Sequence, residues 1–134
     1  ERDFNDTLKL LNKVEFINSY SFLYSSRPGT PAAKMNNINQ ATAKERLKKF
    51  QKKASDIKMK YKKNLFGTDS QVLFENKVLN KEEYFGKDEF SNSVIVKTNE
   101  DLRGKIKKVK IVGGNQNTLF GEISQKFNNR VEAA

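Results

Sequence analysis

Apolar residues recur along this chain at two different periods, and the period changes near residue 65. Phe4, Leu8, Leu11 and Val14 step by three and four, which predicts a helix over 3–15 with Asp3 as its N-cap. Ala43, Leu47, Phe50, Ala54, Ile57 and Tyr61 step likewise behind Asn39, a second candidate cap. They predict a helix over 40–64 of roughly 36 Å, with one narrow apolar stripe. Between the helices, Ile17 to Tyr24 alternates. Tyr20, Phe22 and Tyr24 fall on one face, and Ser19, Ser21, Leu23 and Ser25 on the other, as in a strand. Helix, short connection and strand make half of a βαβ unit, whose parallel neighbours are not in this chain. The aromatic face suits covering helices and the small polar face a barrel lumen; an ordinary sheet strand with one wet side fits the same pattern.

The strand runs into Ser25-Ser26-Arg27-Pro28-Gly29-Thr30-Pro31. Neither proline can donate to a ladder and Gly29 readily takes a turn conformation, so a rigid loop is expected at the strand's C-terminal end. In α/β barrels that end carries the chemistry.

Beyond residue 65 the period shortens to two. Five short strands are predicted at 71–75, 83–87, 93–97, 105–111 and 117–123, with turn signals at Asn76-Lys77, Asp88-Glu89, Asn99-Glu100-Asp101 and Gly113-Gly114-Asn115-Gln116. Alternation is imperfect around Lys105 to Lys108, which leaves the register there open. Five strands in about 60 residues suggest a small closed or partly closed barrel, because closure removes exposed edges. Residues 125–134 show no period and read as a frayed tail.

Charge changes the picture unevenly. The 134-residue chain carries a formal +10, which favours an acidic partner. Residues 41–64 hold ten lysines and arginines against two acids, whereas 65–124 hold nine of each. The basic signal is therefore one helix, whose lysines serve either as a solvated face or as phosphate contacts. There is no cysteine and no histidine, so the chain offers no thiolate site, no iron–sulfur ligand of the usual kind and no histidine base. A run of about 18 apolar residues is also missing, which excludes a membrane helix. The opening Glu1-Arg2-Asp3-Phe4 has no initiator methionine and starts inside a helical pattern, so a preceding segment is expected.

No catalytic constellation stands out. Glu82-Glu83 and Glu100-Asp101 read as solubilising turn charge. Gly113-Gly114 lacks the strand-to-helix setting of a phosphate loop and reads as a hairpin turn. Tyr84, Phe85, Lys87, Phe90, Asn92, Lys97 and Arg103 bring aromatics and cations onto neighbouring strands, a composition suited to stacking bases and neutralising phosphates. Phe85 and Phe90 fit a core equally well. Lys87, Asn92 and Arg103 are the preferred RNA-contact candidates, because their side chains seek water or phosphate. In the loop, Arg27 is a planar fork suited to phosphate or carboxylate, or to a structural salt bridge.

Ser21-Phe22-Leu23-Tyr24-Ser25-Ser26-Arg27-Pro28-Gly29-Thr30-Pro31-Ala32-Ala33, followed by Lys44-Glu45-Arg46-Leu47, resembles the radical-SAM tRNA methylthiotransferases of the MiaB type. Ser26 stands where that family usually has proline. Sister enzymes acting on a ribosomal protein tend to lack the arginine corresponding to Arg27, which favours the tRNA branch. Val72-Leu73-Phe74-Glu75 and Leu119-Phe120-Gly121-Glu122-Ile123 resemble the first and last strands of a TRAM domain.

The resemblance implies α/β followed by all-β. Residues 1–64 would be the terminal helix-strand-helix of a partial radical-SAM (β/α) barrel, 65–124 a five-stranded antiparallel, OB-like TRAM barrel, and 125–134 a tail. It implies a whole enzyme that adds a 2-methylthio group to an N6-modified adenosine beside the anticodon, using two 4Fe-4S clusters and S-adenosylmethionine. The cluster cysteines would lie upstream of Glu1, so this chain alone is expected to bind neither cofactor. Its own part would be tRNA contact, with the anticodon stem-loop as partner and Arg27, Thr30, Lys87, Asn92 and Arg103 as contacts. A cytoplasmic monomer is the matching expectation. Two other readings stay open: a stand-alone TRAM or OB-type RNA-binding module, and a basic structural protein such as a ribosome component.

Overall fold

The computed structural model describes residues 1–124; the expected tail at 125–134 lies outside the described residues. The chain divides into two compact units, Glu1–Tyr61 and Lys62 onward.

In the first unit, α1 (Arg2–Val14) turns Phe4, Leu8 and Leu11 inward and ends at Glu15, whose left-handed backbone (φ 51°) lets its amide reach the Leu11 carbonyl. Asp3, expected as the N-cap, lies inside the first turn, and the cap position is Glu1 with no side-chain capping bond. The second helix, α2 (Gln40–Asn64), begins as expected at Asn39, whose Oδ1 accepts from the amides of Ala41 and Thr42. Arg46 pairs with Glu1 and Lys60 with Glu15, so equal steps along α1 and α2 join their exposed ends in the same order. The two helices therefore run parallel. The Arg46 guanidinium also sits 5.6 Å from the Phe4 ring.

The strand expected at 17–24 does not form. The segment is irregular, with Tyr20 90% and Phe22 84% exposed. Alternation selects an extended conformation, but a strand exists only through ladder bonds, and no neighbour within the described residues supplies them. The loop behind it is built as foreseen. Gly29 takes φ 82°, and a 3-10 turn (Pro31–Lys34) opens with proline in its first turn.

The second unit is a closed barrel of β1 (Asp69–Lys77), β2 (Glu83–Asp88), β3 (Ser93–Lys97), β4 (Ile106–Gly114) and β5 (Thr118–Ile123), in the order β1-β2-β3-β5-β4. All five strands lie where the two-residue period places them, but Asn76-Lys77, expected as a turn, complete β1, and the chain turns just beyond, where the Lys81 amide donates to the Val78 carbonyl. An all-antiparallel sheet was expected; four ladders are antiparallel, but β3 and β5 pair in parallel. Strand order causes this: β5 returns beside β4 through a hairpin, and closure on β3 then forces the parallel direction. Bulges after Phe74 and after Ile111 bend β1 and β4. Gly113 and Gly114, expected as a hairpin turn, complete β4, and Asn115 makes the turn by accepting at Oδ1 from the amides of Asn117 and Thr118.

Val72, Phe74, Tyr84, Val94, Val96, Val109, Ile111 and Leu119 fill the interior from strands. Leu102, fully buried, plugs it from the β3–β4 loop. Gly86 and Gly121 face inward among these bulky neighbours, opposite Phe74 and Ile111 respectively, so small and large positions interlock.

Candidate nucleic-acid interface

The register sorts barrel residues into inward and outward sets, and the outward set on β2, β3 and β5 forms two aligned rows. Phe85 pairs with Ile95 and Ile95 with Phe120. In the next row Lys87 pairs with Ser93 and Ser93 with Thr118. Phe120 is 41% exposed, and Phe85 and Ile95 are half-buried. The Lys87 ammonium donates to Ser93 Oγ at 3.0 Å and lies 5.5 Å from the centre of the Phe85 ring. Two of its three donors remain for a ligand.

Phe90 and Lys97 stay exposed, whereas Asn92, Arg103 and Tyr84 are committed elsewhere. Asn92 is buried in the β2–β3 turn, where its backbone amide and Nδ2 donate to the two Asp88 carboxylate oxygens at 2.7 and 2.9 Å. It clasps the hairpin. Arg103 is exposed, but its Nε and Nη2 donate to both oxygens of Asp101 at 3.2 and 3.1 Å. Tyr84 lies in the core instead of on a stacking face, with its hydroxyl near Asp101. The Arg103 fork, first, and the Tyr84 hydroxyl hold the Asp101 carboxyl down at about 2. Because that pKa is depressed, the contact is fully present above the ordinary value near 3.8 and is released as pH falls through about 2. Arg103→Ala should therefore move the Asp101 titration midpoint, read by carboxyl-carbon NMR, from about 2 back toward 3.8. A midpoint that stays near 2 would show that Arg103 is not what holds it.

In the first unit, Thr30 spends its hydroxyl on the loop, donating to the Arg27 carbonyl at 2.9 Å and accepting from the Ala33 amide at 3.3 Å. It shapes the turn that presents Arg27. The Arg27 side chain is exposed and has no salt bridge among the described residues; it borders a shallow groove with Phe22, Tyr24 and Thr30. A second groove of about 710 Å³ is mostly apolar, lined by Phe4, Tyr24, Met35, Ile38, Leu47 and Phe50.

Ile95 and Phe120 escaped the sequence reading. Strand period puts each on an outer face, but only the cross-strand register reveals that they continue a row begun by Phe85. Donor chemistry for a 4Fe-4S cluster is missing from the chain: it has no cysteine, and among the described residues no three metal-ligating side chains come together. Among those residues no helix is long and apolar enough to cross a membrane.

Two helices followed by a closed TRAM-like barrel define the class of protein. No family model matches the chain. It is 40% identical over 131 residues to a tRNA-2-methylthio-N(6)-dimethylallyladenosine synthase of Pelagibacter ubique, a match covering 98% of this chain and 29% of that protein. Proteins of the same name from Ruegeria pomeroyi and Rickettsia bellii are 36% and 38% identical, each over 92% of this chain and 28% of their own length. The chain belongs to the family of tRNA-2-methylthio-N(6)-dimethylallyladenosine synthases, over the part of their length that it matches. It spans less than a third of those relatives.

Proposed function

We propose that this chain is the C-terminal part of a radical-SAM tRNA methylthiotransferase, which adds a 2-methylthio group to an N6-modified adenosine next to the anticodon. Residues 1–64 close the catalytic barrel, 65–124 act as a TRAM domain that holds the anticodon stem-loop, and 125–134 form a tail. The observation that carries this reading is the match over 98% of the chain to a synthase of which it covers 29%. The unpaired segment at 17–24 agrees with it, since Tyr20 and Phe22 stand exposed where a complete barrel would supply ladder partners and covering helices. The 4Fe-4S clusters and S-adenosylmethionine belong to the remainder of the enzyme, and this chain's own work is to bind and orient RNA. Arg27, a fixed cation on the turn that Thr30 ties, would meet phosphate or carboxylate at the mouth of the complete barrel.

The test is to supply the complete protein to a host whose tRNA lacks the 2-methylthio group and to analyse nucleosides by mass spectrometry. The modified adenosine should appear with the unaltered sequence. With Arg27→Lys it should fall about tenfold at matched protein level, since a point charge does not replace a fork. Absence of the modification with the unaltered protein would overturn the assignment, and unchanged levels with Arg27→Lys would remove that residue's role. A module that binds RNA by itself is the second reading, favoured by the barrel's own closed core. It predicts RNA binding with no new nucleoside.

A further inference from the structure

We infer that the outward rows of β2, β3 and β5 are a base-stacking platform for unpaired RNA nucleotides, with Phe85 and Phe120 as the two stacking rings. The inference rests on the proposed tRNA-binding role and identifies the surface that performs it. Phe85, Ile95 and Phe120 align through direct cross-strand pairs, and Lys87, Ser93 and Thr118 align beside them. Among these six positions the only charge is the cation of Lys87, and none is acidic. Two adjoining acids are opposed, Glu83 across from Lys97 and Glu122 across from Lys110. Glu75, exposed in the β1 bulge beside Phe85, is in no ion pair among the described residues, so a polyanion is favoured on the Lys87 side of the rows.

Geometry narrows the ligand further. Phe85 and Phe120 lie on strands two apart, which sets them roughly 10 Å from each other. Two successive bases stacked on one another in a strand are far closer than that and cannot each cover a ring. Two nucleotides splayed from a loop can, each flat on its own ring, with Ile95 filling the space between. Loop RNA is recognised in this manner, by unstacked bases on aromatic side chains. Lys87, whose ammonium is bonded to Ser93 and lies 5.5 Å from the Phe85 ring centre, would swing from the ring to the phosphate between the two nucleotides as a base takes the ring face. The closed barrel has no free strand edge for a peptide to join, so recognition on this face falls to side chains.

The probes are a tRNA anticodon stem-loop and a blunt duplex of the same stem, titrated against the full 134-residue chain over a range of salt. Phe85→Leu and Phe120→Leu keep an apolar side chain on the strand but remove the π face, and a thermal melt checks that each folds. Each substitution should weaken stem-loop binding about tenfold or more, in line with the measured worth of base–aromatic stacking. The salt slope should stay unchanged, because no phosphate contact is lost. Lys87→Ala should instead reduce the slope by about 0.7. Equal stem-loop affinity in the leucine variants and the unaltered chain would overturn the platform alone. A chain that binds neither RNA, or binds stem and stem-loop alike, overturns the RNA reading and the platform with it. A concentration-dependent dimer abolished by Phe120→Asp would assign the face to protein contact and also overturn the inference.

Discussion

Replacing Phe74 with alanine should destabilise the barrel by about 3–5 kcal/mol. The ring is fully buried and among the largest side chains in the interior. It sits beside the β1 bulge, where its amide donates to the Lys105 carbonyl and its carbonyl accepts from the Gly104 amide. Those bonds hold the backbone in place, so the walls cannot collapse into the void and the cavity cost stands. A small domain has a total stability on the order of 5–15 kcal/mol, with a 60-residue barrel near the low end. The variant should therefore be largely unfolded in this unit at 25 °C. Amide hydrogen exchange at Val94, Val96 and Leu119 is the direct measurement, since these buried strand positions report opening of the barrel rather than of the helices. Protection reduced by less than tenfold would mean that the interior repacks around the missing ring.

Gly86→Ala should have the second-largest effect, about 3 kcal/mol of destabilisation, although it adds one methyl group. A Cβ at Gly86 would lie 2.4 Å from the Leu73 carbonyl oxygen and 2.8 Å from Val72 Cγ1. The first of these is ladder backbone between β1 and β2, so relief requires the two strands to move apart. Gly113 is the internal control: it too lies in a strand, but nothing stands within 4 Å of its Cβ position. Gly113→Ala should stay within about 0.5 kcal/mol of the parent. Chemical denaturation of both variants, followed through the same barrel amides, gives the comparison. Equal midpoints would show that the β1–β2 approach is not tight.

Strand positions were legible because each strand has one wet face and one dry face, and such a face writes itself into sequence with period two. The helices were legible for the same reason at their own period. What remained hidden depended on partners. The alternation at 17–24 is real, yet without a neighbouring strand it specifies extension and nothing more. Asn92 and Arg103 look like free polar groups in sequence; in the fold, Asp88 and Asp101 occupy them. Leu102 carries no periodic signal because it reaches the interior from a loop. Lys107, which blurred the alternation on β4, lies on the inward side beside Val72 and is only half-buried, as a long amphipathic stem allows. Phe120 could be assigned to an outer face from period alone, but its alignment with Phe85 through Ile95 is a property of three ladders together.

The parallel seam between β3 and β5 bears on how the molecule is made. Each antiparallel ladder except β1–β4 joins consecutive strands, so hairpins can form quickly from nearby chain, whereas the β1–β4 ladder, joining 69–73 to 106–110, and the seam, joining 93–96 to 118–121, each need a longer loop to close first. Until β5 docks, β3 has one bare margin and β4 another, and both carry β-branched side chains that would pair readily with a second nascent chain. The hazard is therefore concentrated in the interval before the final strand arrives. Slow synthesis through that stretch, or crowding of translating ribosomes on one message, would favour intermolecular strand exchange, with yield limited by kinetics and not by the stability of the finished barrel.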